Sequence, residues 1–166
     1  MDLYLVRHAI AESRDRNRWP DDSQRPLTPD GSERFRAESR GLRRIGISVE
    51  ALLSSSYVRA WQTAEILTEE AGWPSVQMCV ELEPPSSSSD CLEVVGARSE
   101  SSLALVGHEP NLSELASLLL SGSEHTLRLE LKKGGMILVH FPGRPVAGTG
   151  MLRWSVSPKI LRRLGR

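Results

Sequence analysis

The chain has 166 residues, which suits one domain that buries about 70% of its unfolded surface. Its 21 basic and 21 acidic side chains balance, so no net charge favours nucleic acid or an acidic membrane as a partner. No apolar run is long enough for a membrane-spanning helix, and the first residues lack the basic and apolar regions of a signal peptide. Because Cys79 and Cys91 form neither a metal motif nor a disulfide framework, we expect one cytoplasmic domain, residues 1–166, with both thiols reduced.

The first residues form an apolar run that ends in an Arg-His pair. Leu3 to Val6 is rich in β-forming side chains without polar alternation, which predicts a strand buried on both faces. Ligands of such sheets collect beyond the carboxyl ends of the strands, where Arg7 and His8 follow. Arg is a forked cationic donor that suits phosphate, and His is a nitrogen nucleophile, so the pair indicates phosphoryl chemistry. A surface Arg beside a capping His is the structural alternative.

A polar loop and a helix are predicted next. Residues 10–24 are mixed in charge and predict a loop over the presumed site, which is either a solvated face or lends an Arg or a Ser to phosphate. The motif Arg-Pro-Leu-Thr-Pro-Asp-Gly then indicates a helix start, with Thr28 as the N-cap and Pro29 at the first helical position. A charged amphipathic helix is expected over 32–44.

Arg59 is the second candidate anion ligand. Residues 47–53 predict a strand, a Ser-rich turn follows, and a helix over 60–71 continues from a first turn that carries Arg59. A helix N-terminus offers unpaired N–H groups and a positive dipole end, and both attract anions. A solvated position on the helix surface is the alternative role for Arg59.

An edge strand and a loop precede the next predicted helix. The strand covers residues 76–82, where apolar side chains alternate and share one side: Val76, Met78, Val80 and Leu82. The Pro- and Ser-rich stretch 84–90 predicts a loop, and 91–98 predicts a short helix.

A second histidine follows a second buried run. Residues 103–107 repeat the apolar pattern of the first strand and end at His108, and a helix is predicted over 110–120. Two buried strands would thus deliver two histidines to one sheet edge, where they and two arginines can converge on one oxyanion. A structural strand-end His is the alternative. A metal site from His8, His108 and Glu109 is disfavoured, because the chain has no His pair at i, i+4 and no Cys pair.

The last part of the chain predicts two strands and a basic end. Residues 136–141 and 151–156 predict strands linked as a hairpin, 158–166 predicts a basic tail, and 127–131 stays unassigned. His140 matches no motif and is expected to be structural. Strands that alternate with helices indicate an α/β fold, here a three-layer α/β/α sandwich whose central sheet is mainly parallel but mixed.

Four motifs in a fixed order resemble those of the histidine phosphatase superfamily, and most closely those of its small SixA-type phosphohistidine phosphatases. They are LVRHAIAE, RPLTPDG, LLSSSYVRAWQTAEIL and LALVGHEPNLSELASLL, and the resemblance runs from Asp2 to about Leu120. The ending WSVSPKILRRL also resembles that branch. Ala9 stands where the superfamily usually has Gly after Arg-His.

The resemblance implies a phosphoglycerate mutase-like fold and a covalent mechanism. His8 would be the nucleophile and form a phosphohistidine intermediate that water hydrolyses, while Arg7 and Arg59 hold the phosphate oxygens. His108 would bind phosphate by donating a hydrogen bond as an imidazolium. These four catalytic side chains would act without a metal or cofactor.

The proton donor of the larger superfamily members has no clear counterpart. Phosphoglycerate mutases and acid phosphatases place a Glu or Asp beside the site to protonate an ester oxygen. The corresponding region here contains Glu81 and Glu83 but does not reproduce the mutase-type pattern. We therefore expect exposed loop carboxylates and a preference for P–N over P–O bonds, because an alkoxide leaving group needs an acid and imidazole does not.

Three functions remain open at this stage. The leading one is a phosphohistidine phosphatase that acts on a phosphorylated protein, since a short chain leaves little room for a cap that encloses a small substrate. The second is a phosphomonoesterase or mutase that acts on a small metabolite. The third is a phosphoprotein-binding module without turnover, which the intact His8 disfavours. We expect a monomer.

Overall fold

The structure, a computed structural model, describes residues 1–166 and contains six strands and five α-helices. The strands are β1 Asp2–Arg7, β2 Ala51–Ser54, β3 Val76–Met78, β4 Ser102–Gly107, β5 Met136–His140 and β6 Met151–Val156. The helices are α1 Pro29–Arg44, α2 Val58–Ile66, α3 Ser88–Gly96, α4 Asn111–Ser121 and α5 Pro158–Leu164. None of these helices has the length and apolar character needed to cross a lipid bilayer.

The six strands form one mixed sheet in the order β3-β2-β4-β1-β5-β6. The pairs β3–β2, β2–β4 and β4–β1 are parallel, whereas β5 and β6 join as antiparallel strands. Strand β1 lies beside β4, with Arg7 paired to Gly107. The residues that follow these two strands, His8 and His108, therefore leave the sheet at the same edge.

Helices cover both faces of the sheet, which confirms the predicted three-layer α/β sandwich. In β1 the side chains alternate between two apolar clusters: Tyr4 and Val6 pack on the side of α1, α2 and α5, and Leu3 and Leu5 on the side of α3 and α4. All four side chains are buried. Burial on both faces explains why the strand lacks polar alternation.

The start of α1 follows the sequence prediction. The Thr28 side chain accepts a hydrogen bond from the Gly31 N–H at 2.9 Å, and Pro29 is the first helical residue. Position 31 has to be glycine, because a Cβ there would lie 2.1 Å from the carbonyl oxygen of Ile10. This close approach holds the chain that follows β1 against the first turn of α1.

The predicted strand over 76–82 is wrong beyond its first half. Strand β3 ends at Met78, and a 3-10 turn follows over Val80–Leu82. Met78 and Val80 are exposed, whereas Cys79 and Leu82 are buried in the cluster on the α3 and α4 side. Strand β3 does lie at the edge of the sheet, as predicted. The chain turns because a single neighbouring strand gives less burial than the core beneath α3 and α4.

Two other elements begin at residues that differ from the predicted ones. Strand β2 begins at Ala51, four residues later than predicted. Helix α3 begins at Ser88 rather than residue 91, because Ser87 and Asp90 form a capping box inside the stretch predicted as a loop. Residues 127–131 form no strand.

The predicted basic tail is wrong, because residues 158–164 form helix α5. Leu161 is buried against α1, and Arg162 pairs with the buried carboxylate of Glu38. The two cysteines are also buried and not bonded to each other.

Candidate active site

His8 and His108 lie side by side at the carboxyl edge of the sheet. Their ring centroids are 5.2 Å apart, and the two residues keep only 6% and 3% of their surface exposed. Buried side chains that a sheet edge brings together from distant parts of the chain favour a functional site at this edge.

The hydrogen bond of His8 fixes which ring nitrogen carries the proton. Its Nδ1 lies 2.7 Å from the carbonyl oxygen of Ala9. A carbonyl only accepts, so Nδ1 donates, and Nε2 of the neutral ring keeps its lone pair. Burial lowers the pKa of His8 to about 3, with further lowering by the charges of Arg59, Arg7 and Lys133. The ring is therefore neutral at pH 7, in the form that can attack phosphorus.

His108 is held by Ser55 at the end of β2. Its Nε2 lies 2.9 Å from the Ser55 Oγ, and the Tyr57 ring packs against it with centroids 5.2 Å apart. Burial lowers the pKa of His108 to about 2, and the neighbouring His8 ring and the charge of Arg59 lower it further. The ring is therefore expected to be neutral in the protein on its own, and the imidazolium implied by the family resemblance stays a prediction for the complex with phosphate. The buried Nδ1 of His108 has no hydrogen-bond partner.

Arg59 lies in the first turn of α2, as the sequence predicts, and is buried. Its Nη1 donates to the carbonyl oxygen of Asp22 at 2.8 Å, and its Nη2 lies 3.1 Å from the Asp22 Oδ2. The guanidinium stacks over the Tyr57 ring at 4.9 Å. Its buried Nε has no partner.

Arg7 is held by a turn that begins at Leu131, in a stretch for which the sequence predicted no element. Its Nη1 donates to the carbonyl oxygen of Leu131 at 2.8 Å. The backbone of the same turn bonds to the strand end, since the N–H of Arg7 donates to Gly135 and the N–H of Gly134 donates to Arg7 and His8. Gly134 has φ +79°, a conformation that favours glycine. The Nε of Arg7 is buried without a partner.

Three buried nitrogens at this edge thus lack partners: the Nε of Arg7, the Nε of Arg59 and the Nδ1 of His108. An unpartnered buried polar group costs about 1–3 kcal/mol, so such groups call for an explanation in a native protein. An oxyanion among them would accept hydrogen bonds from both arginines and, once Nδ1 carries a proton, from His108 as well. Arginine and histidine N–H groups are the donor types that bind phosphate through charge-assisted hydrogen bonds.

Several residues of this region were missed by sequence reasoning. Asp22 and Arg25 bond to each other, with the Arg25 Nε 2.9 Å from the Asp22 Oδ1. Ser55 and Tyr57 contact His108, and the Lys133 charge acts on His8. Arg25, Ser55 and Tyr57 lie inside the motifs RPLTPDG and LLSSSYVRAWQTAEIL, which could have pointed to them. Asp22 and Lys133 lie outside every motif, and the charge of their loops was the only signal.

The carboxylates near the site differ in their partners. Glu83 accepts a hydrogen bond from the Ser56 Oγ at 2.5 Å, and the thiol of Cys79 lies 3.3 Å from Glu81. Both glutamates are partly exposed. Glu109 accepts a hydrogen bond from the Ser113 hydroxyl through Oε2, while its buried Oε1 has no partner. Burial raises the pKa of Glu109.

The histidines gather no metal-ligand cluster. The structure contains no group of three or more His, Cys, Asp or Glu side chains arranged to hold a metal ion. His140 lies at the opposite end of the sheet, where its Nδ1 is 2.6 Å from the Asp2 Oδ1.

Known proteins resemble this chain over most of its length. Residues 3–83 match the model of the histidine phosphatase superfamily (branch 1). An uncharacterised protein of Picosynechococcus sp. is 38% identical in an alignment of 140 residues that covers 82% of this chain and 83% of that protein. The structure of the protein histidine phosphatase SixA complexed with tungstate has a TM-score of 0.84 at 24% identity and covers 97% of this chain and 99% of that chain. A structure from Nakamurella multipartitia, provisionally described as phosphohistidine phosphatase SixA, has a TM-score of 0.74 at 25% identity and covers 95% of each chain.

Proposed function

The chain belongs to the histidine phosphatase superfamily, and on that premise we propose that it is a metal-independent phosphohistidine phosphatase that acts on a phosphorylated protein. The observation that carries the proposal is the hydrogen bond from Nδ1 of His8 to Ala9. It supports a neutral ring whose Nε2 lone pair is free to act as the nucleophile.

The proposed reaction has two displacements at phosphorus. In the first, Nε2 of His8 forms a bond to phosphorus while the bond from phosphorus to the substrate's imidazole nitrogen breaks. That imidazole leaves as a neutral ring, because a proton from solvent has added to it beforehand. In the second, water attacks the phosphohistidine, which releases inorganic phosphate and restores His8.

Arg7, Arg59 and His108 are proposed to bind the phosphoryl oxygens. Their unpartnered nitrogens are buried, and charge-assisted hydrogen bonds are strongest where water is excluded. A dianionic phosphate next to His108 would favour its protonated form, so the imidazolium expected from the family is proposed for the complex. Phosphate binding would then take up a proton.

A preference for P–N over P–O bonds follows from the carboxylates. The side chains of Glu81 and Glu83 bond to Cys79 and Ser56, not to any of the four proposed catalytic side chains, and both are partly exposed. An alkoxide needs a proton in the transition state, and such acid catalysis contributes roughly 10²–10⁴-fold. Phosphohistidine does not need a dedicated acid.

Glu109 favours a second candidate function, a phosphomonoesterase. It follows His108 directly, its pKa is raised by burial, and its Oε1 is buried without a partner. A carboxyl group in such surroundings is suited to hold a proton and donate it to an ester oxygen.

The test is kcat/KM of the wild type for a phosphohistidine protein and for alkyl and aryl phosphates, each repeated with Glu109→Gln. We expect the phosphohistidine protein to be the best substrate and the variant to stay within about threefold of the wild type on it. Glu93→Gln, which changes an exposed carboxylate on α3, is the matched control. Efficient alkyl-ester hydrolysis that falls about 10²-fold or more in Glu109→Gln alone would establish the phosphomonoesterase instead.

A further inference from the structure

An acidic side chain lies within the cluster of arginines at the candidate site. The Asp22 Oδ1 is 2.9 Å from the Nε of Arg25 and 3.4 Å from the Nε of Arg14, and its Oδ2 is 3.1 Å from the Nη2 of Arg59. The Asp22 carbonyl oxygen accepts a further hydrogen bond from Arg59. One residue of the loop that follows β1 therefore contacts three arginines.

The contacts with Arg59 and Arg25 lie mostly out of water, whereas the Arg14 side chain is 77% exposed. The side chains of Arg59 and Arg25 are 4% and 10% exposed, and that of Asp22 is 32% exposed. Burial alone would raise the pKa of Asp22, but the hydrogen bond from Arg25 and the charges of Arg59, Arg25 and Arg14 lower it. Asp22 is thus an anion at neutral pH.

Without an anion, the arginines of this cluster would repel one another. After burial, the charge of Arg25 is the largest cause that lowers the pKa of Arg59, and the charge of Asp22 opposes it. Lys133 adds another positive charge, since its own pKa is lowered by burial and by Arg7, Arg25 and Arg59. Asp22 is the one carboxylate within ion-pair distance of Arg59.

We propose that Asp22 is an internal counter-anion that sets the phosphate affinity of this site. It holds Arg59 and Arg25 in position before phosphate binds, and its negative charge then opposes the incoming dianion through the guanidinium that both share. The inference rests on the proposed function, because it takes Arg59 as a phosphate ligand. Its consequence is weaker retention of the product phosphate, and so faster turnover.

The test measures binding of inorganic phosphate by titration calorimetry at low, fixed ionic strength, where charge effects are least screened. Asp22→Asn keeps the shape and the hydrogen-bond acceptor but removes the charge, and we expect it to bind phosphate about tenfold more tightly. Asp22→Glu keeps the charge and is expected to stay within about threefold of the wild type.

Asp21→Asn is the matched control. Asp21 precedes Asp22 in the same loop, but its carboxylate caps the following turn at the Ser23 N–H and pairs with no arginine. Asparagine is an equally good cap, so we expect wild-type phosphate affinity. Thermal unfolding of each variant verifies folding, and Asp22→Ser is the second neutral variant if Asp22→Asn folds poorly.

The outcomes separate this inference from the proposed function. Phosphate affinity that is unchanged or weaker in both neutral variants would overturn the role of Asp22, and so would tightening in Asp22→Glu equal to that in Asp22→Asn. A misfolded protein does not bind its ligand more tightly, so a purely structural role cannot produce the expected result. A wild type that binds no phosphate and hydrolyses no phosphohistidine would contradict the proposed function itself.

Discussion

Each of the four side chains at the candidate site has at least one nitrogen fixed by the protein and another left without a partner. The fixed atoms are Nδ1 in His8, Nε2 in His108, Nη1 in Arg7 and both Nη atoms in Arg59. The atoms left over are Nε2 of His8, Nδ1 of His108 and the two Nε atoms. Groups that are oriented before the substrate arrives need no rearrangement during the reaction, which is the main source of electrostatic catalysis.

His8→Ala is expected to abolish turnover and leave phosphate affinity largely intact. The variant loses the nucleophile, but Arg7, Arg59 and His108 still supply most of the phosphate binding. We expect kcat for a phosphohistidine protein to fall by about 10⁴-fold or more, while the Kd of inorganic phosphate changes by less than about threefold. Single-turnover hydrolysis and titration calorimetry measure the two quantities.

His140→Ala is the control for this substitution, because His140 bonds to Asp2 at the other end of the sheet. It should retain wild-type activity. Phosphate trapped on His8 by rapid quench would support the covalent intermediate directly. Residual activity of His8→Ala above about a tenth of the wild type would contradict the covalent mechanism.

The sequence predicted which sheet edge carries the site residues, but not the groups that hydrogen-bond to them. Arg7, His8 and His108 follow apolar runs, so a pattern of a few residues was enough to bring them to one edge. His8 is held by the adjacent Ala9, but Arg7 and His108 are held by a carbonyl of Leu131 and a hydroxyl of Ser55, which lie 124 and 53 residues away along the chain. Such contacts depend on loop conformation, which local patterns do not specify.

At the scale of elements, α5 completes the layer of helices that begins with α1. Leu161 is 1% exposed in the cluster that includes Phe35 and Leu42 of α1. The two helices approach closely, since a Cβ at Gly41 would lie 2.3 Å from the carbonyl oxygen of Leu161. The last residues of the chain are thus part of the core.

Leu161→Ala is expected to lower the free energy of unfolding by about 2–5 kcal/mol, the usual range for a leucine removed from a core. Ile160→Ala, one residue earlier and 52% exposed, should change it by less than about 0.5 kcal/mol. Urea unfolding monitored by circular dichroism measures both values. Equal effects of the two substitutions would show that α5 contributes nothing specific to the core.

Local patterns predicted long elements better than short ones. Helix α1 has a cap, a proline and an amphipathic repeat, and each of these signals agreed with the structure. The many basic residues of α5 predicted a tail, although one residue of the helix, Leu161, is buried. In residues 76–82 the apolar alternation predicted a strand beyond Met78, where the chain instead turns into the core. Tertiary burial outweighed the local preference in both places.

At the scale of the whole molecule, burial shifts the pKa of several ionisable groups in the direction that favours their neutral forms. Burial lowers the pKa of His8 and His108 to about 3 and about 2, and it raises the pKa of Glu38 to about 8 despite the nearby Arg162. Each of these groups binds protons differently in the folded and unfolded chains, so each makes stability depend on pH.

Between about pH 6.5 and pH 5 the free energy of unfolding is expected to fall as the pH falls. Unfolded histidines take up protons near pH 6.5, whereas folded His8 and His108 do not, so each removes up to about 1.4 kcal/mol per pH unit. Glu38 acts in the opposite direction, because its raised pKa favours the folded state at low pH. Glu109, whose pKa is also raised by burial, acts in the same direction as Glu38, so the two histidines leave a net loss of at most about 1.4 kcal/mol per pH unit.

Urea unfolding at several pH values measures this slope. His108→Gln should bring it close to zero, and Glu38→Gln should make it steeper. Asp21→Asn, in an exposed loop, should leave it unchanged. A slope that neither His108→Gln nor Glu38→Gln alters would mean that other groups cause the pH dependence.

Because both cysteines are buried, the rate at which their thiols are alkylated reports how often the protein unfolds locally around them. The Sγ atoms of Cys79 and Cys91 contact the side chain and the carbonyl of Glu81, and burial raises the pKa of each to about 12. Only the thiolate reacts with alkylating reagents, so at neutral pH a closed molecule is inert and labelling reports the fraction that opens. The native sequence thus carries its own probe, and the rate of alkylation can rank variants by how often they expose this face of the sheet.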